Sequence, residues 1–326
     1  MTTVDHICSI HRTKDISGDG MHAIRYDTFG APEVLHLVEL PDLTPGAGQL
    51  LVKVNAAAVN SIDAQLRAGL FPPKGTPPFI LGLDVSGSVE EVGVGVSEFK
   101  VGDEVIGYLS PDQGGYASHV VASSSSFVLK PANLSFAEAA ALPLVSLTAW
   151  QALEFAGVTA GQRVLIHAAA GGVGHVAVQL AARRGAEVIA TARSVNHDYL
   201  RSLGATTVID HQTADFAAEV AGIDVVFDLV GRDYGARSLN TLRPGGLLVG
   251  LTLNPGMTEA EAAEHDAKFS FFGLHASQED LSQLVAEAGA GRLTASVERT
   301  LPLADAADAH ELLEAKRVRG KIVLVP

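Results

Sequence analysis

The chain has one cysteine, Cys8, one tryptophan and no uninterrupted apolar run of 18 residues. A single thiol excludes an intramolecular disulfide framework and any zinc site built from several cysteines. Without a long apolar run there is no candidate membrane span, and without a basic-then-apolar leader the expected compartment is the cytoplasm. Positive charge is scarce as well. The 23 Lys and Arg stand against 37 Asp and Glu, a formal charge of −14, which argues against a nucleic-acid or anionic-membrane partner and for a small molecule. His6, Cys8 and His11 lie in residues 1–20, a polar stretch ending Ser17-Gly18-Asp19-Gly20. That stretch reads as a disordered extension, not a metal site, with the fold beginning at Met21. The 326 residues suggest two domains, and 47% hydrophobic content is ample for their cores.

What is present is concentrated in one segment. Residues 163–167 form an apolar strand, followed by Ala168-Ala169-Ala170-Gly171-Gly172-Val173-Gly174 and a run whose Val173, Val176, Ala177, Leu180 and Ala181 share a helix face. Ala169, Gly171 and Gly174 fit the A-x-G-x-x-G variant of the dinucleotide fingerprint. Gly171 is expected to take an unusual backbone angle and admit the phosphates, Gly174 to let helix and strand pack closely, and the helix-start N–H groups to face the pyrophosphate. The cofactor is read one strand later. Where an NAD site places an acid on the ribose hydroxyl, the strand at 187–191 leads into Ala192-Arg193-Ser194. Arg193 and Ser194 suit a 2′-phosphate, so NADPH is expected; the alternative is a solvated Arg193.

From Met21 to Pro143, short strands at 23–26, 35–39, 50–57, 84–92, 104–108, 117–122 and 128–130 are broken by Gly and Pro, which predicts a β-barrel-like domain. From Leu144 the pattern alternates. Strands at 163–167, 187–191, 207–209, 224–229 and 246–251, with a last one at 269–275, alternate with helices and predict a doubly wound parallel sheet. Residues 278–291 read as helix, and 296–301, 304–316 and 321–325 as strand, helix and strand returning to the first domain. The cofactor crevice would then lie between the two. The fold class expected is α/β, with a nucleotide domain at 144–275 and a catalytic domain at 21–143 and 276–326.

Taken together, Val59-Asn60-Ser61-Ile62-Asp63, Arg67-Ala68-Gly69-Leu70-Phe71-Pro72-Pro73, Leu81-Gly82-Leu83-Asp84-Val85-Ser86-Gly87, Val101-Gly102-Asp103-Glu104-Val105, Ser146-Leu147-Thr148-Ala149-Trp150, the glycine loop and Arg319-Gly320-Lys321 resemble the medium-chain dehydrogenases/reductases. The resemblance, over Met21 to Pro326, is to the zinc-independent quinone oxidoreductase (zeta-crystallin-like) branch. It implies a GroES-like β-barrel catalytic domain joined to a Rossmann domain, and a homodimer paired through edge strands, with 246–251 and 269–275 as candidates. Zinc-dependent relatives carry a cysteine where this chain has Asn60 and Gly-His-Glu where it has Gly82-Leu83-Asp84. An amide and a leucine cannot replace thiolate and imidazole, and the proton-relay hydroxyl of those enzymes is here Ile62. The implied acceptor is therefore activated by its own conjugation: a quinone or an enone.

The resemblance places Asn60 beside the nicotinamide, its amide open to the acceptor's oxygen; the other reading is a helix-capping Asn with Asp63 completing the turn. Asp63 belongs to the candidate catalytic set as an anchor of that loop. Tyr108 completes the set as a phenol facing the developing enolate, or else packs. Thr148 resembles the position that bonds the nicotinamide side, against an ordinary helix-internal Thr. Ala169, Gly171, Gly172, Val173, Gly174, Arg193, Ser194, Val230, Gly231 and Leu251 are the other expected cofactor contacts, with His211 and Lys316 added by resemblance at the adenosine end. Asp228 reads as structural, and His167, His175, His197 and His310 as core or surface. Phe71, Phe79, Phe271, Phe272 and Leu274 are candidates for an apolar acceptor pocket, with the loop at Phe71 as its lid. Two rivals remain: a dedicated enoyl reductase of a biosynthetic route such as polyketide tailoring, and a non-catalytic NADPH-binding sensor.

Overall fold

Two strand patterns, one alternating and broken by turns and one spaced by helices, become two separate sheet systems in the computed structural model, which describes residues 20–71 and 75–326. In chain order the first half contains β1 (Met21–Tyr26), β2 (His36–Leu40), β3 (Gln49–Val59), α1 (Ser61–Arg67), β4 (Phe79–Ile80), β5 (Asp84–Val92), β6 (Glu104–Tyr108), β7 (His119–Ser123) and β8 (Phe127–Leu129). Then come α2 (Phe136–Ala140), α3 (Pro143–Phe155), β9 (Arg163–Ile166), α4 (Gly172–Arg183), β10 (Glu187–Ala192), α5 (His197–Ser202), β11 (Thr207–Asp210) and α6 (Phe216–Glu219). The rest is β12 (Ile223–Asp228), α7 (Asp233–Leu239), β13 (Leu242–Gly250), α8 (Glu259–Glu264), β14 (Lys268–Phe271), α9 (Gln278–Gly289), β15 (Val297–Pro302), α10 (Ala306–Glu314) and β16 (Lys321–Val325).

The six-stranded sheet runs β11-β10-β9-β12-β13-β14, every pair parallel. Its order reverses at β9 and β12, and such a switch point opens a crevice at the strands' carboxyl ends. The other body is a seven-strand sheet, β15-β16-β3-β5-β6-β8 with β7 also on β3, beside a three-strand sheet β2-β1-β4. The C-terminal strand β16 pairs antiparallel with β3 at Val59, Ala58 and Ala57. The last residues of the chain are thereby set against Asn60.

Several expectations are corrected. The segment 246–251 is not an edge, because β13 is covered by β12 on one side and β14 on the other. The strand expected over 269–275 stops at Phe271, and β4 was not anticipated. The expected extension at 1–20 lies outside the described residues except for Gly20, as do Pro72 and Pro73 of the expected lid.

Where the chain crosses between bodies, buried glutamines stand in for a neighbouring strand. The Gln151 amide of α3 donates to His275 O (3.1 Å) and accepts from His275 N–H (3.2 Å). On the return, Gln179 of α4 donates to Thr294 O (2.9 Å) and accepts from Thr294 N–H (3.0 Å). Each amide satisfies a crossing backbone that has left its sheet.

The body that carries the seven-strand sheet closes on a buried polar chain. Arg67 donates to Gly30 O, reaches Glu314 at 2.6 Å and lies 3.3 Å from His310 Nδ1. The His310 Nε2 side faces the Tyr116 hydroxyl at 3.4 Å, and Tyr116 donates to Asp63 at 2.9 Å. An arginine can only donate, so Nδ1 of His310 accepts and Nε2 carries the proton. Burial first, and Arg67 second, hold this histidine's pKa down to about 3. The unfolded chain takes up that proton near 6.5 and the folded chain does not, so this contribution is complete above 6.5 and is lost as pH falls toward 3. A His310→Gln variant should melt below the parent at pH 8, and the gap should narrow as pH falls from 6.5 to 4 by up to about 1.4 kcal/mol per pH unit. Calorimetry of the pair across that range checks it; a gap independent of pH would refute the assignment.

Candidate active site

The strand-turn-helix unit forms as the glycines demand, with one reassignment. Gly171 caps α4 at φ −77°, which any residue adopts; the left-handed backbone is at Ala168, φ +47°. At Gly171 a Cβ would meet only Ala168 O, at 3.2 Å, a tight contact. At Gly174 the constraint is harder, with a Cβ 2.5 Å from Ala168 O and 2.7 Å from Ala169 Cα. The helix can therefore start almost on top of β9. Its first amides, at Gly172, Val173 and Gly174, have no carbonyl within the helix to donate to, and they suit an anion.

His175, read as a core residue, is buried and does more than fill space. Its Nε2 accepts from Ser296 N–H (3.0 Å), so its proton is on Nδ1 and is donated to Gly171 O (2.9 Å). One neutral ring thus joins the glycine loop to the chain entering β15. Burial holds its pKa down to about 4. Gly320 N–H also donates to Ala170 O, and Lys321 N–H to Ser296 O (both 2.9 Å).

At the far end of β10, Arg193 donates to Arg317 O (2.9 Å), which brings it beside Lys316, exposed and with φ +54°. Arg319 lies over the Tyr199 ring at 4.9 Å. Ser194 N–H is bound by the Asp210 carboxylate (3.1 Å), next to exposed His211. Sequence spacing did not reveal Asp210, Arg317 or Tyr199 here, because each comes from a different element. The amides of Val230 and Gly231 are taken by Asp228 Oδ1 (2.9 and 2.8 Å), and Leu251 N–H by Asp228 O (2.9 Å). The N–H groups of these three positions are therefore engaged within the protein, and the Gly231 carbonyl accepts Tyr234 N–H (3.2 Å). Thr148 Oγ1 donates to Leu144 O at 2.7 Å, the helix-internal bond.

Asn60 is the N-cap of α1 with Asp63 closing on its N–H, as its capping reading has it, and the reading of an open amide is corrected. Its amide is not open: Nδ2 donates to Asp84 Oδ2 (2.9 Å), and Oδ1 accepts from the Lys321 ammonium. Lys321 also donates to Val59 O (2.9 Å) and stands 3.6 Å from Asp84 Oδ2, while Asp84 Oδ1 accepts from Leu144 N–H (2.9 Å) at the head of α3. Asn60, Asp84 and Lys321 are 4%, 0% and 3% exposed. Burial pushes the Asp84 carboxyl up and the Lys321 ammonium down, each opposed by the other's charge. Asp63 is also wholly buried. Its Oδ2 accepts Asn60 N–H (2.8 Å) and the Tyr116 hydroxyl, and burial raises it to about 6. It anchors α1, and its Oδ1 is buried without a hydrogen-bond partner.

Tyr108, at the end of β6, lines a cavity of about 210 Å³ with Ser126 and Ser277. Burial, then Asp84 and Asp63, raise its phenol. The expected aromatic pocket does not assemble: Phe79 packs on Tyr26 (5.8 Å), Phe272 on Phe155 (5.6 Å), and Phe71 and Phe271 are half exposed. Instead Trp150, Phe155, Phe272 and His275 line a separate hollow of about 440 Å³ on the flank of α3. Among the described residues no group of three His, Cys, Asp or Glu is placed to hold a metal, and no helix is long and apolar enough to cross a membrane.

The sequence signature of the alcohol dehydrogenase GroES-like domain matches residues 46–132, and that of the zinc-binding dehydrogenases matches residues 203–324. The chain is 35% identical to the quinone oxidoreductase of Sus scrofa, over 94% of this chain and 98% of that one. It belongs to the quinone oxidoreductase family of medium-chain dehydrogenases/reductases. Among other members, the 2-methylene-furan-3-one reductase of Solanum lycopersicum is 34% identical over 94% of this chain and 79% of its own. The quinone oxidoreductase of Escherichia coli, solved in complex with NADPH, superposes with a TM-score of 0.87 at 31% identity, over 94% and 100% of the two chains. This family is one of oxidoreductases, with the GroES-like and Rossmann-type architecture described above.

Because the atoms facing Gly174 are backbone and cannot swing aside, Gly174→Ala should destabilise the fold by about 1–3 kcal/mol. Thermal melting measures it, and an unchanged midpoint would refute the close packing of α4 on β9.

Proposed function

We propose that this protein is an NADPH-dependent, zinc-free reductase of quinones and of enones, with 21–143 and 276–326 as its catalytic part and 144–275 as its nucleotide part. The observation that carries this reading is Asn60 locked between Lys321 and Asp84. The position where zinc enzymes of the superfamily hold a metal-binding thiolate is filled by a hydrogen-bonded amide. The GroES-like and Rossmann-type pairing, the helix-start amides of α4 and the NADPH bound to the Escherichia coli relative support the cofactor. The tomato relative's named activity supports including enones.

The glycine loop suits the cofactor on structural grounds: Gly174 leaves no room for a side chain, Gly171 puts no side chain in the turn, and the first turn of α4 presents unpaired amides. These amides would hold the pyrophosphate, with Arg193 and Lys316 on the 2′-phosphate and Thr148 toward the nicotinamide. NADPH, when bound, supplies a hydride. The chain's own task is to bind and orient the acceptor and to stabilise the charge that arrives on its oxygen, an effect of roughly 3 kcal/mol for a well-placed donor. Asn60 retains one Nδ2 proton whose present contact, Ala58 O at 3.4 Å, is long. A quinone or enone also needs one proton to complete the two-electron reduction. Tyr108, raised by burial and by two carboxylates, is a hydrogen-bond donor to that oxygen and a poor acid, which leaves solvent as the proton source. Tyr108→Phe should therefore lower kcat by less than about tenfold; a loss of a thousandfold would make it the acid.

The outer edge of β14 is the remaining candidate for pairing two copies. Sedimentation of the purified protein tests it, with a monomer at micromolar concentration as the refuting result.

Steady-state NADPH oxidation with a panel of quinones and enones tests the function. Tight NADPH binding without turnover on any of them would make the protein a binding module. For the cofactor, Arg193→Ala should raise KM for NADPH about tenfold or more and leave KM for NADH nearly unchanged. Equal effects on both would remove the 2′-phosphate from its role.

A further inference from the structure

We propose that Lys321 is a positioning residue for the reduction: with Asp84 it holds the Asn60 amide in one orientation and ties that orientation to the glycine loop. The inference rests on the reading that the second Nδ2 proton of Asn60, now on a long contact with Ala58 O, is the one given to the acceptor.

An asparagine amide is nearly symmetric in shape, so packing alone does not decide which end points where. Here charge decides. The ammonium of Lys321 lies on Oδ1 and the carboxylate of Asp84 on Nδ2. Turning the amide over would set N–H against an ammonium and a carbonyl oxygen against a carboxylate. Both charges are buried, so little water is at hand to soften either conflict. An amide pulled at its oxygen by a cation and at its nitrogen by an anion is also polarised, which strengthens its second N–H as a donor. That proton is the one whose contact with Ala58 O is long.

Lys321 carries the same constraint into the other body. A methyl at Gly172 would lie 3.5 Å from Lys321 Cδ, so the lysine stem runs directly beside the loop. The residue before it donates to Ala170 O, and its own amide holds Ser296, whose N–H is held by His175. Asp84 does the corresponding work on α3 through Leu144 N–H. The amide therefore sits at a fixed place relative to both the loop and the helix. Lys321 touches neither acceptor nor cofactor in this assignment and acts through Asn60.

The test is a double-mutant cycle of Asn60→Ala and Lys321→Met, read by NADPH binding, by turnover and by the Asn60 side-chain amide in ¹⁵N NMR, its signal assigned by its loss in Asn60→Ala. Lys321→Met should leave NADPH Kd within about threefold, lower kcat about tenfold to a hundredfold, and speed water exchange of the Asn60 amide protons about tenfold or more. The double variant should be no slower than Asn60→Ala alone. Should Lys321→Met not fold with Asp84 left unpaired, Lys321→Met/Asp84→Asn removes both charges together and takes its place in every arm. Effects of Lys321 and Asn60 that multiply, or unchanged amide exchange, would overturn the proposal and leave the function standing. Wild-type turnover in Asn60→Ala would overturn both the role of Asn60 and the proposal built on it.

Discussion

Burying an ammonium and a carboxylate together costs several kcal/mol per ion unless every hydrogen-bonding capacity is met, and much of this molecule is arranged to meet them around Lys321 and Asp84. The ammonium has Val59 O and Asn60 Oδ1 as partners, with the carboxylate 3.6 Å away. The carboxylate has Asn60 Nδ2 and Leu144 N–H. These partners come from β3, its following turn, β5, the head of α3 and the last strand of the chain. Removing one ion would leave the other charged and unpaired in the interior, a penalty of about 3–5 kcal/mol. So the elements that must bring these atoms together are fixed relative to one another. β16 has to return to β3, and α3 has to begin where Asp84 points.

The same economy governs the links between the two bodies. A crossing backbone needs partners, and long polar side chains supply them in fixed number: two glutamine amides, one imidazole and the Gly320 amide. None of these groups is exposed to a degree that would let water replace it readily. The glycine loop is thus attached at Gly171 and at Ala170 to residues of the returning chain. Its position relative to Asn60 is set by hydrogen bonds and not by hydrophobic contact alone.

Local chemistry made much of this readable in advance. Apolar periodicity located most of the strands, and the A-x-G-x-x-G spacing located the start of α4, because both depend on residues close in sequence. Interior or edge position does not. Residues 246–251 read as a possible edge, yet β14, some twenty residues later, covers them. A glycine at 171 predicts an unusual backbone angle there, but the turn puts that angle on Ala168, and the glycine the packing requires is Gly174. Asn60 was legible as special and illegible in its bonding. The partner that fixes it is 261 residues away, in a strand whose sequence, Lys321-Ile322-Val323-Leu324-Val325, resembles any C-terminal β-strand with a solvated lysine at its start.

The adenosine end shows the same limit in electrostatic form. Arg193 and Ser194 are adjacent in sequence, and both suit a phosphate when read as a pair. In the fold they face different charges. Arg193 reaches toward the Lys316-Arg317 corner and binds its backbone, and among the described residues no carboxylate pairs with its guanidinium. Ser194 has the Asp210 carboxylate on its amide, held below its usual range by hydrogen bonds from Gln212 and Ser194 and so firmly ionised. A dianionic phosphate placed midway would be drawn to the arginine side and repelled from the Asp210 side. Under the proposed function, a preference for a 2′-phosphate would depend on how far the ribose sits from Asp210 as much as on the presence of Arg193. The glycine loop would set that distance through the pyrophosphate it would hold.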